Sequence, residues 1–244
     1  MSRVAPRGTI PEATVRGAIG NALQVFSDDI VPFLIVFFIM IMVGAGCGSL
    51  FVYLEYGSYY SSASFLLIAG PLEMGVSFLC LRAVRSGRVS FDHLFSVFNR
   101  YPSVFLANAL MTLIFSSASL VLLIPGIVFF CATRFVSFLL LEDELGGAAA
   151  IRDSIRLSRQ CAWQLLGICS VGFAGVALLV LFATQLGAAA ILGIVPGMVL
   201  WNLSIASLYH SLYRPPAGWA LEDAEELELR QVEEAREALE AAED

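Results

Sequence analysis

The stretch that decides the fold is QCAWQLLGICSVGFAGVALLVLFATQLGAAAILGIVPGMVLWNLSIASLYHSLY, residues 160–213, which contains no Asp, Glu, Lys or Arg. As one straight α-helix it would run roughly 80 Å at about 1.5 Å per residue. The hydrocarbon of a bilayer is crossed by about 20 apolar residues. The stretch must therefore fold back once and supply two crossings. Three further charge-poor stretches lie upstream, 30–54, 56–81 and 101–141, interrupted only by Glu73 and Arg134. Residues 101–141 fit two crossings with a turn at Ile124, Pro125 and Gly126, and 30–81 fit two separated by the polar, aromatic segment 55–62. The expectation is an all-α integral membrane protein. Six transmembrane helices in three hairpins fall near 30–53, 62–84, 102–123, 126–141, 161–183 and 187–212.

Composition agrees. The 244 residues are 58% hydrophobic, with a mean hydropathy of +0.80, far from the balance of a soluble globular domain. All fourteen basic residues are Arg. Arg3, Arg7 and Arg16 precede the first crossing; Arg82, Arg85, Arg88 and Arg100 lie between the second and third; Arg152, Arg156 and Arg159 lie between the fourth and fifth; Arg214 follows the sixth. The alternate connections hold no Arg. By the positive-inside rule all the Arg-bearing segments are cytoplasmic, and both termini with them.

The chain thus divides into a cytoplasmic N-terminal segment with an amphipathic helix (1–29), a six-helix transmembrane domain (30–213) and an acidic cytoplasmic helical tail (214–244). The formal net charge of −7 belongs to the tail, because residues 220–244 hold eleven of the twenty-one acids and two of the Arg. The remaining twelve Arg against ten acids leave 1–219 at +2, a balance suited to anionic lipid. The first 29 residues, with Asp28 and Asp29, are too long and too acidic for the basic start of a signal peptide.

A threefold pattern runs through the chain. A short amphipathic segment precedes each odd-numbered crossing: Ile19, Leu23 and Phe26; Phe91, Phe95 and Phe98; Ile151, Ile155 and Ser158. Each set has the i, i+4, i+7 spacing of one helical face, and such segments are expected to lie in the cytoplasmic interface with Arg toward the headgroups. Each even-numbered crossing carries a Pro-Gly or Gly-Pro pair, at Pro71, at Pro125 and Gly126, and at Pro196 and Gly197. Pro125 suits a first turn, where its missing N–H is not needed. Pro71 and Pro196 lie deeper and are expected to kink their helices.

The segment LLIPGIVFFCATRFVSFLLLEDELGGAAAIRDSIRLSRQCAWQLLGI, residues 122–168, resembles the membrane-domain family fused to some bacterial glycerophosphoryl diester phosphodiesterases, and similar uncharacterised six-helix inner-membrane proteins. The shared features are Pro125 and Gly126, Arg134 within the helix, Glu142 at its end, then Ala150, Ser154, Leu157, Ser158 and Arg159, and Trp163. Upstream, Pro71, Arg82, Asp92, Phe95 and Phe98 also fit. The resemblance implies a multi-pass protein of the bacterial inner membrane and brings no catalytic residues with it.

Chemistry-bearing residues are few. Glu73 and Arg134 are the only charges inside the apolar stretches, and an ionised group at mid-depth costs about 2.5–3.5 kcal/mol on insertion scales. They are expected to pair, as a clamp between the second and fourth crossings or as the polar site of a pathway. Asn108, Asn202, Gln185 and His210 are single residues suited to interhelical hydrogen bonds. The five Cys read as small apolar packing residues, and no metal or other cofactor is expected. Nucleophile elbows, phosphate-cradling loops and dinucleotide fingerprints are absent from the sequence, and the Arg clusters are accounted for by topology rather than by nucleic acid. The leading expectation is a non-enzymatic scaffold or accessory protein that organises membrane lipid or a protein partner, with the tail, 220–244, as a surface for a partner or for self-association. The alternative is a small transporter or lipid-handling protein built around Glu73 and Arg134.

Overall fold

The computed structural model describes residues 12–53, 65–86, 89–121, 123–142, 145–186 and 189–213. Among the described residues every regular element is helical, and there is no strand. The segments bearing Arg3, Arg7, Arg88 and Arg214, the connection 54–64 and the acidic tail lie outside the described residues.

Helix α1 (Val15–Asp28) starts at Thr14, whose extended backbone and side-chain oxygen, accepting from the Gly17 N–H at 3.0 Å, form an N-cap. It ends at Asp29, and the chain bends by 96° into α2 (Ile30–Tyr53). A π-helical turn (Phe65–Ala69) leads into α3 (Gly70–Ser86). Next come the short α4 (Asp92–Phe95), a 3-10 turn (Ser96–Arg100) and α5 (Tyr101–Val121). Helices α6 (Leu123–Ala132) and α7 (Val136–Glu142) follow. Then α8 (Gly147–Gln160) bends by 99° into α9 (Ala162–Leu186), and α10 (Ala189–Leu212) closes the bundle.

The helical stretches Leu67–Ser86 and Asp92–Ala118 are long and apolar enough to cross a membrane, and the two bent pairs would each add one more. Two to four candidate spans therefore stand among the described residues, against the six helices expected. The fourth expected crossing, 126–141, is not one helix: it is interrupted at Thr133, Arg134 and Phe135, between α6 and α7. The expected turn at Ile124, Pro125 and Gly126 also shifts. Those residues are already helical in α6, which packs against α5, so the turn does not fall on them. Pro125 occupies the first turn of α6, where a proline removes no intrahelical bond.

Packing separates central from peripheral helices. Within an 18-residue apolar window, 78% of the Leu67–Ser86 stretch but only 17% of Asp92–Ala118 is buried, so α3 is a core helix and α5 a rim helix. Helix α10 packs against α1, α3 and α9 and buries Val199, Leu203, Leu208 and Tyr209. Rim helices turn large apolar side chains outward: Val31, Ile35, Phe38 and Met42 form an exposed i, i+4, i+7, i+11 stripe on α2, and Val171, Leu178 and Leu181 are exposed on α9. Continuous apolar stripes of this kind need an apolar surrounding.

The amphipathic segments present two different faces. In α1 the small Ala18 and Ala22 are buried, while Leu23 is exposed. In the middle segment Leu94 and Val97 are buried and the Phe91, Phe95 and Phe98 stripe points outward. In α8 the inward face is Gly147, Ala150, Ile151, Ser154 and Ser158, with Arg152, Arg156 and Arg159 exposed. The near-right-angle bend recurs in the first and third units; in the middle unit the segment runs on into α5 as one helical stretch, Asp92–Ala118. Close approach fixes two of these contacts. A methyl at Gly75 would strike the Leu94 carbonyl oxygen, and one at Gly147 would lie 3.0 Å from the Ala107 nitrogen and the Ser103 oxygen.

The prolines are accommodated individually. Pro71 is the second residue of α3, directly after the π-helical turn, rather than a kink inside a longer helix. It has no N–H to offer the Leu67 carbonyl four residues back. The Tyr101 hydroxyl donates to that carbonyl instead, at 2.8 Å. Pro196 lies within the continuous α10, and Gly197 beside it is exposed.

Candidate functional site

The interruption between α6 and α7 is held by side chains. The Arg134 N–H bonds back to the Cys131 carbonyl at 3.3 Å and the Val136 N–H to the Thr133 carbonyl at 3.1 Å, three-residue bonds that replace the α-helical pattern. Two carbonyls lose their usual amide donors. That of Phe130 accepts from the Thr133 hydroxyl at 3.2 Å. That of Ala132 accepts from the Ser154 and Ser158 hydroxyls of α8, at 2.8 and 3.0 Å. The serine pair at i, i+4 thus supplies two donors to one carbonyl, and hydroxyls are the groups that re-satisfy a broken helix away from water.

Arg134 projects from this interruption into a cavity of 350 Å³ between α3, α5, α6 and α7. Glu73 faces the same space from α3, with Ser77; Asn108, Met111 and Thr112 line it from α5, and Ser137 from α7. The Arg134 guanidinium lies against two aromatic rings, with its carbon 4.8 Å from the Phe130 centroid and 5.2 Å from that of Trp201. Contacts of this kind contribute about 0.5–2 kcal/mol. Gly70 also lines the cavity because the Asn108 amide lies against its Cα, in the place a Cβ would take.

The structure brings the two sequence-predicted charges together, but loosely. Arg134 Nη1 and Glu73 Oε1 stand 3.8 Å apart, with the Arg side chain 15% and the Glu side chain 49% exposed. That separation allows Coulomb attraction without a hydrogen bond. Among the described residues Arg134 Nε is buried with no hydrogen-bond partner. Two oppositely charged groups therefore share a cavity without hydrogen-bonding each other.

A second polar cluster was not anticipated as a unit. Arg85 at the end of α3 makes a bidentate pair with Glu142 at the end of α7, through Nη1 to Oε1 and through Nη2 to Oε2 at 3.4 Å. These side chains are 4% and 0% exposed. The Tyr209 hydroxyl of α10 donates to Glu142 Oε2 at 3.1 Å, and Arg85 Nε donates to His210 Nδ1 at 3.3 Å. The bidentate, buried, fully partnered geometry is that of an ionic clamp. His210, read from sequence as a lone hydrogen-bonding residue, belongs to it. The signal in the sequence is the position of Arg85, Glu142 and Tyr209 at the ends of the three even-numbered stretches, where Arg85 also belongs to the Arg cluster that marks the cytoplasmic side by the positive-inside rule.

The other polar residues tie helices together. Ser77 donates to Asn202 Oδ1 at 3.4 Å, joining α3 to α10, and Asn21 Nδ2 donates to Ser207 Oγ at 3.0 Å, joining α1 to α10. Pro71 follows Gly70 in the first turn of α3 at the cavity wall, and Gly126 is buried in α6; among the described residues Pro196 and Gly197 do not line the cavity. Among the described residues no three His, Cys, Asp or Glu side chains gather as metal ligands would. Compared with family models, characterised proteins and solved structures, the chain matches none.

Proposed function

We propose that this chain is a multi-pass protein of the bacterial inner membrane that admits the polar part of a lipid or small solute to the cavity at Glu73 and Arg134. In this reading six crossings form three hairpins, the Arg-bearing ends are cytoplasmic, and both termini are cytoplasmic. The compartment rests on the Arg distribution and on the resemblance of residues 122–168 to bacterial membrane domains. Lipid surrounds the outward apolar stripes, and the near-right-angle bends lay α1 and α8 along the cytoplasmic interface. No catalytic step is assigned.

The observation that carries the reading is the contrast between the two ion pairs. A scaffold needs a clamp, and Arg85 with Glu142 meets that need with buried, bidentate bonds. Glu73 and Arg134 are 3.8 Å apart on an open cavity, an arrangement poor at clamping and suited to receiving a ligand. Interrupted helices that bring polar groups to mid-membrane are a recurring way of building solute sites.

Native mass spectrometry on the protein released from its own membrane in a mild detergent tests this. A stoichiometric small adduct is expected on the wild type, lost from N108L and T112V proteins that keep the wild-type unfolding midpoint. A protein partner or homo-oligomer with no small adduct would return the chain to the scaffold reading.

A further inference from the structure

We infer that the group received by this cavity is a zwitterion, a primary ammonium carried a few bonds from an anionic phosphate or carboxylate, with the ammonium at Glu73 and the anion at Arg134. The inference rests on the cavity being a binding site, and it adds the charge type of the ligand. One acid and one base face the same 350 Å³ space, so the lining is formally neutral. A purely anionic ligand would gain Arg134 but bring its charge against the Glu73 carboxylate, and a purely cationic one would meet the Arg134 guanidinium. In a site partly withdrawn from water both mismatches are strongly unfavourable. A zwitterion satisfies both walls at once.

The hydrogen-bonding state of the walls points the same way. At 3.8 Å the pair is open, and Arg134 keeps a buried Nε without a partner. The rings of Phe130 and Trp201 pack against the guanidinium and limit its swing. The Thr133 hydroxyl donates its proton to the Phe129 and Phe130 carbonyls, so it has no donor left for the anion. Thr112 and Ser137 remain as hydroxyls on the cavity wall. The α5 wall is also the rim of the protein: Leu113, Ile114 and Phe115 next to Thr112 are exposed. A headgroup can therefore enter sideways with its acyl chains left outside, while a free zwitterion would use the same charges.

The test is native mass spectrometry of the delipidated full-length chain offered phosphatidylethanolamine, phosphatidylglycerol or water-soluble phosphoethanolamine. The expected result is one bound phosphatidylethanolamine, preferred at least tenfold over phosphatidylglycerol. The deciding variant is E73Q, a near-isosteric change at a side chain that is 49% exposed. It makes the site formally cationic and is expected to move the preference at least tenfold toward phosphatidylglycerol, which a merely structural role for Glu73 would not do. Binding of phosphoethanolamine that competes with the lipid also supports the zwitterion and identifies a soluble source as sufficient. Equal or tighter binding of phosphatidylglycerol to the wild type overturns the zwitterion while leaving the cavity as a site. Absence of binding by all three probes overturns both.

Discussion

Removing Ser154 and Ser158 together should destabilise the protein far more than removing either alone. Both hydroxyls donate to the Ala132 carbonyl, at 2.8 and 3.0 Å, and the usual amide donor, that of Val136, is turned to the Thr133 carbonyl. S154A or S158A leaves the carbonyl with one donor, so each loses a net hydrogen bond whose partner stays satisfied, about 0.5–1 kcal/mol. The double variant leaves a part-buried carbonyl with no donor from α8 and incurs a desolvation penalty of about 1–3 kcal/mol on top. The expected interaction energy in the double-mutant cycle is therefore unfavourable by about 1 kcal/mol or more. Reversible unfolding in mixed micelles, followed by circular dichroism as the denaturing detergent fraction rises, would measure all four corners of the cycle. Costs that simply add, or a double variant indistinguishable from wild type, would refute the claim that α8 holds the helix interruption through this shared acceptor. Singles each as costly as the double would refute it too, because they would show the hydroxyls acting as one unit rather than as substitutes.

Three other expectations follow from the geometry. E142Q breaks a pair whose side chains are 4% and 0% exposed and should cost about 3–5 kcal/mol, while R85M combined with E142L should cost less than either single change, because no charge is left unpaired; the same unfolding assay reads both. G75A drives a methyl into the Leu94 carbonyl and should destabilise by about 1–3 kcal/mol, whereas G20A in α1, where nothing lies within 4 Å of the added Cβ, should be neutral or stabilising by up to about 1 kcal/mol. In a cysteine-free background, S58C should react with an impermeant maleimide added outside intact cells and A148C only after the membrane is opened; the opposite pattern would overturn the proposed orientation.

Much of the helical outline is written in the alternation of apolar and charged stretches, since α2 begins after Asp28 and Asp29 and spans Ile30–Tyr53 as the hydropathy predicts. The break in the fourth stretch is not legible that way. Residues 126–141 read as one apolar run, and the hydrogen bonds that allow a break come from Thr133 nearby and from Ser154 and Ser158 in another helix. Periodicity also identified Phe91, Phe95 and Phe98 as one face but could not say what that face meets; the structure buries Leu94 and Val97 instead. At the site, Glu73 and Arg134 stood out because charge is rare in apolar sequence. Asn108, Thr112 and Ser137 did not, because single polar residues in such stretches are common and only packing shows which of them share a cavity.

The Arg85, Glu142 and Tyr209 cluster has a temporal side. Arg85 is made 57 residues before Glu142, and Tyr209 comes 67 residues after it. At about 5–20 residues per second, the ribosome takes roughly 3–13 s to add Tyr209 and His210 once Glu142 has been made. Throughout that interval the ion pair lacks its third and fourth members, and the nascent bundle lacks the helix that packs against α1, α3 and α9. Helix α10 therefore completes the cluster: a chain that stops before residue 209 carries the acid and base without two of their partners.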